Sequence, residues 1–316
     1  MSRQSLSNLT QTRTIRSLID EAESAPNIQE HVTPGFDEPR HRLPITPAVV
    51  GTVSLDGETV PAATAAASLG ISYEPLEAGS PGKVLSLSHL VALRSRFCQA
   101  GGNLVLANKA PARTIPDEDT LYTRPEKLRL IKATPFAALG DGLAAPETAY
   151  PVDELEVKMG DAANYSTHFK VSRRLQKDLP PALLAYEIAW SIARGIANLV
   201  DKVALDAIAA AAPAFSFGAM AAKDVRADEL RAIAGTTGTG FSYNAAGDPV
   251  VNGMPADLSP AIAGTVAGAF GRAFMVLSDE TRVVLKRNDV LGGMEALVHI
   301  NVKPGLVDAD YFGLVA

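Results

Sequence analysis

The feature that most constrains the fold is a long stretch without an internal proline, which runs over residues 181–212. Apolar side chains recur there at steps of three and four, the spacing of one helical face, at Ile188, Ile192, Ile196, Leu199 and Val203. A helix of about 30 residues is a rod of roughly 45 Å, which is long for a globular domain. Charges interrupt its other faces, so the pattern favours a helix lying across a sheet.

An alternating segment precedes this helix and is the clearest strand pattern in the chain. One face carries Tyr165, Thr167, Phe169 and Val171, and the other carries Asn164, Ser166, His168 and Lys170. Asp178 is predicted to be the N-cap of the long helix. Pro180 and Pro181 stand where helix starts tolerate a missing amide donor.

The remaining patterns predict a mixture of helices and strands. Helices are predicted for residues 14–23, 88–100 and 227–234, and strands for residues 103–107, 127–132, 155–159, 273–277, 282–286 and 296–303. The acidic, Gly- and Pro-rich stretch 134–163 is predicted to be a projecting loop or hairpin. The sequence therefore predicts an α+β protein.

Charge and cysteine usage exclude several classes of protein. Lys and Arg number 29 against 35 Asp and Glu, a formal charge of -6, which argues against a chain-wide nucleic-acid surface without excluding a local one. The single cysteine, Cys98, rules out an intrachain disulfide and a cysteine-based zinc cluster. We see no signal peptide and no membrane span, and we expect a soluble protein made inside the cell.

Catalytic chemistry is not indicated. The five histidines share no metal-ligand spacing, and no nucleophile elbow or phosphate-binding loop of the GxxxxGK[ST] type occurs. The run GTTGTG at residues 235–240 follows a predicted helix, whereas a Rossmann loop follows a strand, so a plain loop is predicted. Asp153 and Glu154 are interpreted as a solvated face rather than an acid–base pair. We predict no catalytic, cofactor-binding or metal-binding residue.

The order of these elements resembles the tailed-phage major capsid family with the HK97 fold. The strand ends in VSRRLQKDLPP, where Val171, Ser172, Arg173 and Asp178 match the family's motif before its long spine helix. The end of the chain is similar at Gly268, Phe270, Arg282, Val307, Asp308 and Phe312, and residues 248–255 resemble the segment before it. The resemblance covers residues 165–316. The stretch after the helix is shorter than usual in the family, and residues 40–125 match no part of it.

The resemblance implies a fold in which a spine helix packs on an antiparallel sheet, with an axial domain and an extended N-terminal arm and loop. It implies an arm (1–70), an extended-loop region with the start of the peripheral domain (71–163), the peripheral strand and spine helix (164–215), an axial domain (216–265), and C-terminal strands shared between the axial and peripheral domains (266–316). Its fold and assembly signature is carried by Val171, Ser172, Arg173, Asp178, Ile188, Ile192, Ile196, Phe270, Arg282 and Phe312.

The function implied is structural: self-assembly, without a cofactor, into an icosahedral head that encloses double-stranded DNA. Subunits would form pentamers and hexamers, assemble in the host cytoplasm with scaffold, protease and portal proteins, and end in the virion. The DNA would be contacted without sequence specificity, and no membrane would be involved. Two alternatives stay open, an encapsulin-type nanocompartment shell and an enzyme with an unrecognised site.

Overall fold

The structure is a computed structural model that describes residues 13–25, 28–31, 41–44, 48–61, 84–107, 126–131, 134, 136, 149–287 and 293–315. Much of the predicted arm (1–70) and of the predicted loop (134–163) lies outside these residues. The described helices are α1 (Ile15–Ser24), α2 (Leu87–Arg94), α3 (Arg96–Gln99), α4 (Arg173–Asp178), α5 (Pro181–Ala211) and α6 (Phe217–Ala222). 

The described strands begin with β1 (Ile28–His31), β2 (His41–Pro44), β3 (Ala48–Ser54), β4 (Thr59–Pro61), β5 (Val84–Ser86), β6 (Asn103–Ala107), β7 (Glu126–Ile131), β8 (Val152–Val157) and β9 (Ala163–Val171). They continue with β10 (Arg231–Ala234), β11 (Phe241–Tyr243), β12 (Pro249–Val251), β13 (Met254–Leu258), β14 (Thr265–Gly268), β15 (Ala273–Ser278), β16 (Glu280–Arg287), β17 (Met294–Leu306) and β18 (Phe312–Val315). The predicted mixture of helix and sheet is confirmed.

The chain forms two compact units. The first contains residues 1–94, 163–199 and 278–301, and the second contains residues 95–162, 200–277 and 302–316. Helix α5 and strand β17 each contribute residues to both units. Helix α5 has 31 residues and runs without interruption, so the long helix predicted from the sequence is confirmed.

An antiparallel sheet is the centre of the first unit. Strand β16 pairs with β3 and β17, and β9 pairs with β17. Gly51, Val283 and Val298 form one row across β3, β16 and β17, so they point to the same face. A Cβ atom at Gly51 would lie 2.5 Å from Cδ2 of Leu18. Helix α1 therefore covers this face closely, and a larger residue at position 51 would displace the Leu18 side chain.

Helix α1 confirms the amphipathic segment predicted near the start of the chain. The Thr14 hydroxyl oxygen accepts a hydrogen bond from the Ser17 amide at 3.1 Å and caps the first turn. The buried face is the predicted one, with Ile15, Leu18, Ile19 and Ala22. This face packs on β3 and β16. A short amphipathic helix is marginally stable alone in water, and packing of its apolar face on another apolar surface stabilises it.

Six strands form the main sheet of the second unit, in the order β11, β12, β13, β10, β14, β18. Strand β10 lies in the middle, parallel to β13 and antiparallel to β14. The helix predicted for residues 227–234 is wrong. Only a 3₁₀ turn, Ala227–Glu229, forms there, and Ala232, Ile233 and Ala234 are buried in the sheet. Tertiary burial on both faces overrides helix propensity in so short a segment.

The predicted helix 88–100 is also only partly correct. It is interrupted at Ser95, which has extended dihedral angles and caps α3 by accepting a hydrogen bond from the Cys98 amide. Hydroxyl side chains favour such caps because they offer an acceptor to the unpaired amides of a helix start. The remaining strand predictions, at residues 103–107, 127–132, 155–159 and in the last fifty residues, are confirmed to within a few residues.

Candidate assembly surfaces

The motif residues before the long helix form a short helix of their own. Val171 is buried at the end of β9, and the Ser172 hydroxyl oxygen accepts a hydrogen bond from the Leu175 amide at 3.2 Å. Arg173 is the exposed first residue of α4. The position of Ser172 follows from chemistry that the sequence displays, because serine is a favoured N-cap.

Asp178 is not the N-cap of the long helix, so that prediction is wrong. It is the last residue of α4, and its carboxylate lies 3.4 Å from Nε of Arg174. Leu179 is extended, as expected for a residue before proline, and α5 starts only at Pro181. Leu179 thus separates α4 from α5, whereas the sequence predicted a single helix that begins at an Asp178 cap.

The predicted apolar face of α5 packs where the sequence placed it. Ile188, Ile192 and Ile196 are each 5% exposed. Ile192 and Ile196 line a groove of about 350 Å³ whose other walls are formed by Tyr165, Thr167 and Phe169 of β9 and by Val298 and Ile300 of β17. The predicted alternation of β9 is confirmed, although its apolar face is only half-buried because the groove leaves it partly open.

The opposite face of β9 is polar and exposed. Nζ of Lys170 lies 3.0 Å from the Glu295 carboxylate, and Nε2 of His168 lies 3.6 Å from it. The hydrogen bond from Lys170 lowers the pKa of Glu295 below its ordinary value. Lys170 and His168 are exposed and Glu295 is half-buried, and ion pairs this close to solvent contribute little to the free energy of unfolding.

The three signature residues near the end of the chain do not meet at one site. Phe270 and Phe312 are fully buried in the second unit with their ring centroids 5.6 Å apart, and Phe97 contacts Phe270 at 6.1 Å. Arg282 lies on β16 in the first unit, exposed and opposite His299. The two phenylalanines are core residues, whereas Arg282 belongs to a surface.

A buried carboxylate on α5 organises the second unit. Asp201 accepts hydrogen bonds from the Ser95 hydroxyl at 2.5 Å and from the amides of Arg96 and Phe97 at 3.0 Å each. Burial raises the pKa of Asp201 above its ordinary value, and these hydrogen bonds lower it in part. Asp201 therefore completes the N-terminal cap of α3 from more than 100 residues away in the chain.

A second charged cluster joins α6 to the end of the chain. Nζ of Lys223 lies 2.6 Å from the Asp308 carboxylate and 3.1 Å from the Asp310 carboxylate. These hydrogen bonds raise the pKa of Lys223 to about 12. Arg272 lies over the Tyr311 ring at 5.5 Å and contacts Glu229 at 3.2 Å. Within the second unit, these contacts connect residues 308–311 to the segment that follows α6 and to residues 229 and 272.

The hairpin β7–β8 presents apolar side chains to solvent. Its base is anchored where Val157 packs with Val276 and Ala107. At its other end Ile131 is 75%, Phe136 98% and Tyr150 76% exposed. Within the described part of the stretch predicted to be a projecting loop or hairpin (134–163), residues 152–157 form β8, which pairs with β7 from outside that stretch. That the segment projects from the subunit stays a prediction. Large apolar side chains with this degree of exposure are typical of an interaction surface.

Catalytic groups do not converge in the described residues. His89, His168 and His299 lie on different elements, and no group of three or more His, Cys, Asp or Glu side chains within the described ranges is placed to hold a metal ion. Burial raises the pKa of the Cys98 thiol, which disfavours the reactive thiolate. Among the helices that the structure describes, none combines the length and apolar character needed to cross a membrane.

The GTTGTG run forms the predicted loop, although it follows strand β10 and not the predicted helix, and it leads into strand β11. The amides of residues 235–238 are already hydrogen-bonded. The Thr236 and Thr237 amides donate to the carbonyl oxygens of Ile262 and Ala263 at 3.1 and 2.8 Å. A phosphate cradle needs free amides, so this turn does not offer one. A Cβ atom at Gly235 would lie 2.1 Å from the Ile262 carbonyl oxygen, which explains the glycine.

We expect Gly235→Ala to lower the free energy of unfolding by about 1–3 kcal/mol, because the added methyl group forces two backbone segments apart. Gly264→Ala is the matched control, since a Cβ atom at Gly264 meets nothing within 4 Å. Urea unfolding followed by circular dichroism measures both. Equal free energies of unfolding for the two variants would contradict the close approach of the Gly235 backbone to the Ile262 carbonyl oxygen.

Glu58 gives the first unit a pH dependence. Its carboxylate, 7% exposed, accepts a hydrogen bond from the Ile15 amide at the start of α1, and burial raises its pKa. A raised folded-state pKa means that Glu58 contributes stability below its ordinary pKa of 4.5 and loses that contribution as pH rises through the folded-state value.

Glu58→Gln is therefore expected to weaken the fall in stability between mildly acidic and neutral pH. Thermal melting of both proteins across that range tests the expectation. Glu21→Gln is the control, because Glu21 is an exposed carboxylate on α1 that pairs with Arg13 at the surface, and the contribution of Glu58 is read as the difference between the two variants. An identical profile for Glu58→Gln would show that Glu58 does not titrate in this window.

No protein family model and no curated protein sequence matches the chain. The chain is similar to solved capsid structures. The satellite phage P4 procapsid, which includes the size determination (Sid) protein, is 11% identical, with a TM-score of 0.45 over 71% of this chain and 95% of that chain.

Two further structures are similar at the same level. The mature capsid of bacteriophage PhiM1 is 11% identical, with a TM-score of 0.42 over 78% of this chain and 91% of that chain. The capsid of the native GTA particle is 13% identical, with a TM-score of 0.41 over 77% of this chain and 94% of that chain. All three are capsid or procapsid structures.

Sequence reasoning missed three features of these surfaces. Asp201 was read as one of the charges that interrupt the helix, and a partner so far away in sequence leaves no local signal. The contacts of Lys223 with Asp308 and Asp310 leave no local signal for the same reason, since more than 80 residues separate them in the sequence. The exposed side chains of Phe136 and Tyr150 carried a signal, because aromatic residues in an acidic, Gly- and Pro-rich stretch are unusual for a solvated loop.

Proposed function

We propose that the protein is a major capsid protein of a tailed phage, which assembles into an icosahedral head around double-stranded DNA. In this proposal α5 is the spine helix, and the first and second units correspond broadly to the peripheral and axial domains. The segment boundaries predicted from the sequence, and the roles of the signature residues, are part of the proposal. So are the pentamers and hexamers, the scaffold, protease and portal partners, assembly in the host cytoplasm and a final place in the virion.

The observation that carries the proposal is the order of elements around α5. This helix is unbroken over 31 residues, and it follows β9 and the Ser172-capped helix α4. The strands of the last fifty residues come after it in the chain. Long helices on a sheet give a stiff plate, and a plate is what a thin shell needs.

The hairpin β7–β8 supports assembly more directly. In the part of the chain that the structure describes, its two strands pair only with each other, and packing on the rest of the subunit is found at the base of the hairpin, around Val157. A two-stranded hairpin is marginally stable in water without further packing. Ile131, Phe136 and Tyr150, at the other end, are largely exposed. We infer that they pack on a neighbouring subunit, where each contact is weak and the closed shell gains stability from many contacts at once.

Expression of the protein followed by negative-stain microscopy and gradient sedimentation tests the proposal. Shells, including aberrant ones, support assembly, and a discrete monomer or dimer at all concentrations and salts overturns it. Nuclease-protected DNA in the particles supports a phage head. Co-purified protein cargo without DNA would instead support an encapsulin-type nanocompartment.

Phe136→Ser isolates the hairpin contribution. We expect the concentration needed for assembly to rise about tenfold or more, because burial of a phenylalanine on a partner is worth about 2 kcal/mol. The melting temperature of the unassembled protein should not change, since Phe136 is 98% exposed. Thr134→Ser, also exposed on this stretch, is the control. Unaltered assembly of Phe136→Ser would remove the hairpin from the interface.

A further inference from the structure

A cationic pocket of about 320 Å³ lies in the first unit at the junction of α1, α4 and β16. Its charged lining consists of Arg173 and Lys177 from α4, Arg287 from β16 and Glu23 from α1. Three cations face one carboxylate, although the chain as a whole has a net charge of -6. A local excess of positive charge in a net negative chain indicates a site for an anion.

The pocket is built rather than a chance group of surface lysines. One guanidinium nitrogen of Arg287 donates to the Glu23 carbonyl oxygen at 3.0 Å, which fixes the arginine against the last turn of α1. Gln176 donates its amide to the Val171 carbonyl oxygen at 3.2 Å and is fixed in the same way. Buried Ala22 and Met294 form the apolar floor.

The donors left over suit a tetrahedral oxyanion. Arg287 uses one of its five N–H groups in the bond to Glu23, and Arg173 and Lys177 are exposed at the pocket rim. Arginine forms paired hydrogen bonds with phosphate oxygens, and lysine adds a point charge. The lining contains no aromatic side chain for stacking on a base, so the pocket is suited to the backbone of nucleic acid rather than to its bases.

We propose that this pocket binds a phosphate group of double-stranded DNA. The inference rests on the proposed function, since a shell around DNA supplies the ligand. It gives Arg173 a role beyond starting α4, and it makes one phosphate contact site per subunit. A single site of this kind is weak, so DNA would be held through many subunits while remaining free to slide during filling.

The test compares the loss of two cations from the pocket with the loss of two cations outside it. Binding of a short DNA duplex of mixed sequence to the purified protein is measured as a function of salt for the wild type, for Arg173→Gln/Lys177→Gln (the double variant) and for the control Arg174→Gln/Lys202→Gln. The control is matched because it removes the same number of positive charges, and because Arg174 pairs with Asp178, Lys202 pairs with Asp206 and neither lines the pocket. The double variant should bind more weakly, and the slope of log affinity against log salt should fall by about 2.

Equal losses of affinity in the control Arg174→Gln/Lys202→Gln and in the double variant would reduce the effect to net charge and overturn the pocket. Binding of inorganic phosphate without binding of duplex DNA, or selective binding of an acidic peptide, would overturn the assignment to nucleic acid. Melting temperatures verify that the variants fold.

The same variants distinguish this inference from the proposed function. Wild-type shells that form and contain DNA, with equal DNA content in shells of the double variant, would overturn the pocket and leave the capsid proposal standing. A protein that forms no shell but whose duplex binding depends on Arg173 and Lys177 would support the pocket and overturn the capsid proposal.

Discussion

Replacing Asp201 by alanine is expected to lower the free energy of unfolding by about 3 kcal/mol. The side chain receives hydrogen bonds from the Ser95 hydroxyl and from the amides of Arg96 and Phe97, and the residue is 5% exposed. Alanine leaves these three donors without their acceptor in a region that excludes water. The start of α3 would then lose its cap, and the fully buried Phe97 ring would lose its fixed backbone.

Urea unfolding by circular dichroism gives this free energy, with Asp206→Ala as the control on the same helix. Asp206 is exposed and pairs with Lys202 at 3.1 Å, so its loss should cost no more than about 0.5 kcal/mol. Asp201→Asn should fall between the two, because the amide keeps one acceptor but turns an N–H group toward a donor. Equal stabilities of Asp201→Ala and Asp206→Ala would mean that the buried cap contributes nothing.

Ile196→Asp, or equally Ile192→Asp, is expected to abolish particle formation. Both side chains are 5% exposed between α5 and the sheet, and a carboxylate there has no partner. We expect a loss of about 3 kcal/mol or more, from the missing apolar contacts and the cost of the unpaired charge. Since assembly requires the folded plate, particle yield should fall with the stability of the subunit.

Two substitutions control for this effect. Ile196→Val keeps the apolar surface and should cost about 1 kcal/mol with particles retained. Arg194→Asp introduces a carboxylate two residues away on the exposed side of the helix and should leave folding intact. Microscopy and sedimentation measure particle yield. Wild-type particle yields from Ile196→Asp would show that this face of α5 is open to water, and they would contradict the packing of α5 on the sheet as one rigid plate.

Local patterns were reliable wherever one element buries one face. Helix α1 has the four buried residues that its spacing indicates, and α5 runs over the predicted length. Predictions failed where neighbours in space decide the outcome. Residues 231–234 have helix-forming alanines and are nevertheless a strand, because β13 and β14 enclose them. Asp178 has the chemistry of a helix cap, but Ser172 and the extended Leu179 assign it to a different helix.

The candidate surfaces divide in the same way. Arg173, Ile192 and Ile196 were singled out from the sequence, because motif and spacing are properties of neighbouring residues. The residues that surround them in space could not be predicted from the sequence. Arg173 lines one pocket together with Arg287 and Glu23, and Ile192 lines the groove formed with β9 and β17. Contacts between segments separated by 100 residues depend on how the sheet is paired, and that pairing has no local signature.

The sequence by itself determined the long helix, the alternating strand before it, the closing strands and the apolar face that each presents, because hydrogen-bond periodicity and side-chain spacing are local. Only the tertiary structure decided that Asp201 caps a helix, that the hairpin leaves Phe136 exposed and that three cations converge on one pocket. Those arrangements depend on strand register and helix packing, which place groups from distant segments within a few ångströms and change their charge environment and solvation.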